Sequence, residues 1–221
     1  KEFTELGSGF KIAMRDLSIR GAGNLLGAEQ HGFIDSVGFD LYTQMLKEAI
    51  QERKGVPVEK RPRTVTIDIE ADAYIPQSYI ADSIQKIDMY KKFKAVETLE
   101  DIEELEEEMI DRFGDYPREV ADLFNITRVK VLAESLDMET VKQEQDKFTM
   151  VLSEEGTKKL DRYKLFETVA SYGRDAALGT IDQKIKIVRY IKNGDPSTRL
   201  QELVRTLETI RQNQEAFAKI G

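Results

Sequence analysis

The stretch TLEDIEELEEEMIDRFGDYP, residues 98–117, decides how the chain divides, because it holds the start, body and end of one helix and the start of another. Thr98, followed three residues later by Asp101, has the spacing of a capping box, in which each side chain satisfies the other's backbone N–H. Gly114 suits the left-handed conformation that ends a helix, and Pro117 lacks an N–H that a first helical turn leaves unpaired anyway. Phe113, one residue before the stop, can enter a core. These signals predict a helix over 98–113 and a second opening at Pro117.

Beyond Pro117, the apolar residues Val120, Leu123, Phe124, Ile126, Val129 and Leu132 recur at helical spacing. Residues 138–145 and 147–152 have a shorter period and predict two strands, and 155–172 read as interrupted helix. Across 181–191 the alternation of Ile185 and Ile187 with Lys184 and Lys186 suits an edge strand. A long final helix over 197–219 places apolar residues at 200, 203, 204, 207 and 210. Upstream of Thr98, residues 64–69 alternate as a strand. Tyr74-Ile75-Pro76 ends that extended run, and a helix is expected from about Ser78, presenting Ile80, Ile84, Ile87, Met89 and Tyr90.

Residues 55–63 read as a linker, since Pro57 and Pro62 remove donors among charged neighbours. Before it, residues 1–54 predict a helical hairpin: one helix runs from Ser8 or Gly9 towards Ile19, and a second follows a cap at Asp35 or Ser36. Gly21, Gly23 and Gly27 shape the loop between them. The fold class expected is α+β: an N-terminal helical hairpin (1–54), a linker (55–63) and a small mixed helix and sheet domain (64–221).

Composition excludes several chemistries. The 221 residues include no cysteine and one histidine, so neither disulfides, a thiolate nucleophile nor a structural zinc site is expected. Net charge is −8; residues 1–54 carry seven Lys or Arg against eight Asp or Glu, which leaves −7 on residues 55–221. That balance opposes nonspecific attraction to nucleic acid and favours protein contacts for the second unit, although a local phosphate contact depends on placement more than on total charge. No run approaches the roughly 18 to 20 apolar residues of a membrane span, so no membrane partner is expected and the location expected is cytoplasmic.

Two groups of residues are candidates for function. In the first, Asp16, Arg20, Gly21, Gly23, Gly27 and Gln30 surround the glycine loop. The glycines lack the Lys and Ser or Thr of a Walker loop and follow a helical pattern rather than a strand, so a phosphate cradle is not expected. Arg20 either pairs with Asp16 at i, i+4 or offers a guanidinium fork to another domain, and Gln30 either bonds its own loop or reaches a neighbour. His31 has no hydroxyl or carboxylate pattern around it that would make it a base.

The second group is the acidic helix, with Glu100, Asp101, Glu103, Glu104, Glu106, Glu107, Glu108 and Asp111 and no basic residue from 99 to 111. Such a run is either a solvated face or a surface for a partner rich in arginine. Glu108 and Asp111, three apart, can share a helical face, whereas a line of carboxylates lacks the convergence that magnesium requires. An acid-base enzyme built from this helix with Tyr74 or Tyr79 would need those groups to converge in a pocket.

The chain resembles the C-terminal end of the bacterial transcription-repair coupling factor (Mfd) family. Residues 5–54 are similar to the end of its translocase module and include the motif shared with the RecG helicase; residues 64–221 are similar to its C-terminal domain, with Glu108 to Pro117, EMIDRFGDYP, as the signature. The resemblance implies a parent that is an ATP-dependent duplex-DNA translocase, displacing stalled RNA polymerase and recruiting UvrA. Within it Arg20 would anchor the hairpin or relay the nucleotide state, Asp16 would orient Arg20, and Gln30 would lie on a loop coupled to movement along DNA. ATP and Mg would serve the motor outside this chain. The chain itself lacks the ATPase motifs, and neither catalysis nor a cofactor is expected here. The C-terminal domain would pack against the protein's own N-terminal UvrB-like region and mask its UvrA-binding surface, with Glu108 and Asp111 at the acidic positions that face arginines there.

Overall fold

The structure, a computed structural model, describes residues 64–218, with side chains to residue 215. The hairpin expected over 1–54, with Asp16, Arg20, Gly21, Gly23, Gly27 and Gln30, lies outside the described residues, as does the linker.

Five strands form one sheet: β1 (Thr66–Asp68), β2 (Met138–Glu144), β3 (Lys147–Leu152), β4 (Ala176–Ile181) and β5 (Lys184–Tyr190), in the order β1-β2-β3-β5-β4. β1 runs parallel to β2 and the other neighbours are antiparallel. Parallel neighbours need a long crossover, and three helices supply it: α1 (Ser83–Ala95), α2 (Leu99–Phe113) and α3 (Arg118–Ser135). Two short helices, α4 (Glu154–Lys159) and α5 (Arg162–Ser171), connect β3 to β4, and α6 (Pro196–Ala218) closes the domain.

Directly opposed strand residues point to the same face, so the register identifies the buried side. One row crosses all five strands: Ile67, Val141, Met150, Ile187 and Leu178. The first four are buried, whereas Leu178, on the outermost strand, is 37% exposed. Phe148, Leu152 and Ile185 are also buried, together with the predicted apolar positions of α3 and with Leu200, Leu203, Val204, Leu207 and Ile210 of α6. At roughly 1.5 to 3 kcal/mol for each fully buried large apolar side chain, this core is the principal stabilising term.

Local signals set the element ends. Thr98 and Asp101 form the capping box, Gly114 stops α2 at φ +83°, and Pro117 precedes α3. The β4–β5 hairpin turns through Asp182 and Gln183, both at positive φ, the arrangement of a type I′ turn.

Two expectations need correction. The helix expected from Ser78 starts at Ser83, where Asp82 accepts hydrogen bonds from the N–H groups of Ile84 and Gln85. Ile80 is buried ahead of the helix, and Ile84, expected in its apolar stripe, is 79% exposed. The edge strands among the described residues are β1 and β4, the latter without an expected assignment, and β5 lies between β3 and β4. Its lysines alternate outward because one sheet face is open, not because the strand is at the edge.

Candidate functional site

The acidic helix α2 is held on three sides. Ile102, Leu105 and Met109, at i, i+3 and i+7, are its buried stripe. At its start, the Thr98 hydroxyl accepts from the Asp101 N–H at 3.1 Å, while Asp101 Oδ2 accepts from the N–H groups of Glu97 and Thr98 at 3.0 and 3.1 Å. Those backbone donors hold the Asp101 carboxyl below its ordinary range. At its end, the Tyr79 hydroxyl lies 2.7 Å from the Gly114 carbonyl, an oxygen that the helix end leaves unpaired, and 3.3 Å from that of Met109. Burial raises the Tyr79 pKa, and the phenol acts as a cap rather than an acid-base group.

The acids of α2 separate into paired and open sets. Glu106 forms a short ion pair with Arg128 of α3, and Arg128 also reaches Asn125 Oδ1. Glu108 takes the Lys92 ammonium of α1 at 2.9 and 2.6 Å and the Arg112 guanidinium at 3.3 Å. Asp88 stands 3.8 Å from Lys92 and 3.9 Å from Arg112, completing a network of two acids and two bases. The Lys92 hydrogen bond is the main cause of the lowered Glu108 pKa, with partial burial opposing it. Arg112 also lies over the Phe113 ring, 4.9 Å from its centroid.

Glu100, Glu103, Glu104, Glu107 and Asp111 are exposed, and their spacing of three and four places them along one face of α2, bordered by the 43% exposed Ile110. Glu108 and Asp111 thus lie in different settings: Glu108 is partly covered and already engaged within the domain, while Asp111 faces solvent and has no ion pair among the described residues. Lys92 and Asp88 were missed by sequence reasoning. Their i, i+4 spacing is readable, but Lys92 meets Glu108 only because α1 packs on α2.

Fold and site together define an α+β domain whose open acidic surface runs along one helix. Among the described residues, no three His, Asp or Glu side chains group so as to hold a metal ion, and no helix is long and apolar enough to cross a membrane. The TRCF domain family matches residues 69–165. The transcription-repair-coupling factor of Bacillus subtilis is 59% identical over 187 residues, covering 85% of this chain and 16% of the relative. That of Staphylococcus epidermidis is 46% identical over 210 residues, covering 94% and 18%. A crystal structure of the C-terminal domain of a transcription-repair coupling factor superposes with a TM-score of 0.63 at 27% identity, covering 70% of this chain and 96% of that one. The chain belongs to the transcription-repair coupling factor family and contains its C-terminal domain. It spans less than a fifth of the length of the curated relatives it matches.

Proposed function

We propose that this chain is the regulatory end of an ATP-driven duplex-DNA translocase that couples transcription to nucleotide excision repair, and that the face of α2 masks the UvrA-binding surface of the protein's own N-terminal UvrB-like region. The observation that carries this reading is the row of unpaired, exposed carboxylates ending at Asp111 on a helix fixed at both ends. A rigid helix presents charges to arginines without the entropic cost of ordering them, and such pairs set specificity more than affinity. Glu108 enters this contact by exchange, passing from Lys92 and Arg112 to an arginine of the UvrB-like region when the two surfaces meet. In the same reading, Asp16, Arg20 and Gln30 couple the motor's ATP-driven motion to duplex DNA, and engagement of RNA polymerase releases the mask.

The test is binding of this chain to the separately expressed UvrB-like region. Asp111→Asn removes an acid with no ion pair among the described residues, so a loss of binding reports the contact directly. Glu108→Gln must be compared with Lys92→Met, which breaks the internal pair and leaves the acid. Binding that Lys92→Met strengthens or preserves while Glu108→Gln and Asp111→Asn abolish it supports masking. Equal binding by all four proteins rejects it, as does unchanged UvrA affinity in full-length Glu108 and Asp111 variants.

A further inference from the structure

Asparagine is a thermolabile residue, and how fast it reacts depends on the main-chain nitrogen that follows it. Of the four asparagines in the sequence, Asn24, Asn125, Asn193 and Asn213, Asn193 alone precedes a glycine. It lies in the bend between β5 and α6, where Asn193, Gly194 and Asp195 are all exposed. Among the described residues nothing hydrogen-bonds the Asn193 carboxamide or the Gly194 N–H. The fold itself demands the glycine: Gly194 has φ +101°, and an added Cβ would stand 2.9 Å from the Thr198 Cβ. The nitrogen after Asn193 is therefore free of a hydrogen bond and of a side chain that would obstruct it. Asn125 and Asn213 are the contrast. Both sit within helices, where Asn125 Oδ1 accepts from Arg128 at 2.9 Å and Asn213 Nδ2 donates to Thr168 Oγ1 at 2.6 Å. Asn24 lies outside the described residues.

We propose that Asn193 is a site of spontaneous deamidation in the folded protein, with water as the only co-reactant. The Gly194 nitrogen attacks Asn193 Cγ and gives up its proton. The Cγ–Nδ2 bond breaks and ammonia leaves with that proton, closing a cyclic imide. Water then opens the ring: cleavage at Cγ gives aspartate, and cleavage at the main-chain carbonyl carbon gives isoaspartate, whose backbone is longer by one CH2. A helix forbids the attack at Asn125 and Asn213, because its backbone holds the following nitrogen away from Cγ and engages its N–H. Either product adds one negative charge to a chain of net charge −8. The isoaspartyl form also lengthens a turn that two contacts fit to α6: Asp195 Oδ1 accepts from the Thr198 N–H at 2.8 Å, and Arg199 Nη2 donates to the Lys192 carbonyl at 3.4 Å. The longer turn loosens the cap of that helix. This inference is independent of the reading of α2.

The test is peptide mass spectrometry of the whole chain incubated at pH 8, with isoaspartyl methyltransferase labelling of the product. The Asn193 peptide should gain the mass of an amide-to-acid change at least about tenfold faster than the Asn125 and Asn213 peptides, which react only after their helices open. The folded chain should keep the rate of the urea-unfolded chain to within about tenfold, because no opening precedes the attack. Asn193→Gln, whose longer side chain closes the ring poorly, should lose both the mass gain and the label. In the isoaspartyl product, separated by charge, the Thr198 amide should exchange about fivefold faster, the effect of a weakened helix cap; unchanged exchange rejects the consequence for α6. An Asn193 peptide that holds its mass while the unfolded chain reacts overturns the proposal. Equal rates at the helical asparagines, or a label that survives Asn193→Gln, overturn it as well.

Discussion

Glu108 and Lys92 join α2 to α1 through a two-pronged contact, the ammonium lying 2.6 Å from one carboxylate oxygen and 2.9 Å from the other. Both side chains are 37% exposed, so solvent screens the pair and leaves the carboxylate able to change partners. The contact has therefore the character of a latch.

A double-mutant cycle with Glu108→Gln and Lys92→Met should give a coupling of about 0.2 to 1 kcal/mol in urea unfolding. The folded-state pKa of Glu108 lies below the ordinary value of 4.5. Its contribution is therefore present above that value and fades as pH falls through the folded pKa. The deficit of Glu108→Gln should be full at pH 7 and shrink in acid; a deficit independent of pH would show that the pair contributes no ionic term.

Asp122 carries the opposite sign. It is 3% exposed in the first turns of α3, where its Oδ2 accepts from the Ser197 hydroxyl at 2.7 Å, and burial raises its pKa. A raised carboxyl pKa favours the folded state most below the unfolded value of 3.8 and loses that contribution as pH rises through the folded pKa. Asp122→Asn keeps an acceptor for Ser197 without a charge to desolvate. Its stability relative to the parent should improve from pH 4 towards pH 7, whereas Asp122→Ala should cost about 1 to 3 kcal/mol by orphaning the buried hydroxyl. Parallel pH profiles for Asp122→Asn and the parent would contradict the assignment.

Gly156 has no room for a side chain. An added Cβ would stand 2.7 Å from Asp137 Cβ and 2.8 Å from the Asp137 carbonyl oxygen, and Asp137 is itself fixed at φ +55° between α3 and β2. Gly156→Ala should lose about 1 to 3 kcal/mol of stability, read as a lower denaturant midpoint at unchanged m-value. A midpoint equal to the parent's would mean that α4 shifts freely.

Arg189 is a buried cation on β5, 8% exposed. It bonds Thr206 Oγ1 at 3.2 Å and the carbonyls of Asp175 and Tyr190 at 3.3 and 2.7 Å, and its guanidinium lies 4.4 Å from the centroid of the Tyr172 ring. It ties β5 to α6 and to the turn that launches β4. A lysine cannot reproduce that planar fork, so Arg189→Lys should cost about 2 kcal/mol or more, with at least one buried acceptor left unpaired. Amide exchange should rise first in β4, whose entry turn loses its anchor; uniform change across the sheet would argue against that local role.

Local chemistry was legible where neighbouring residues decide the outcome. Thr98, Asp101 and Gly114 announced α2 because a capping box and a glycine stop act within one turn of backbone, although Gly114, at φ +83° and ψ −171°, is extended past the left-handed helical cap expected of it. The apolar stripes of α3 and α6 were readable for the same reason: one element contains the whole period. The helix expected from Ser78 was misplaced because residues 76–80 close a turn on the Pro76 carbonyl that buries Ile75 and Ile80 at its two ends, and the Ile75 N–H is satisfied by the Tyr90 hydroxyl, 2.8 Å away and 15 residues on. β4 escaped notice because Ala-Ala-Leu-Gly-Thr-Ile has no alternation, and only pairing with β5 makes it a strand.

The acidic surface divides in the same way. That residues 99–113 form an acid-rich helix follows from sequence alone, since caps, periodicity and charge are properties of consecutive residues. Which acids are taken and which remain open was decided by tertiary structure: Lys92 and Arg128 approach Glu108 and Glu106 from other helices, across 16 and 22 residues of chain. The strand order was decided there too, because parallel pairing of β1 with β2 and placement of β5 inside β4 depend on how helices and sheet bury one shared core. A one-dimensional pattern records which face of an element is apolar; the partner that covers that face is set by the packing of the whole domain.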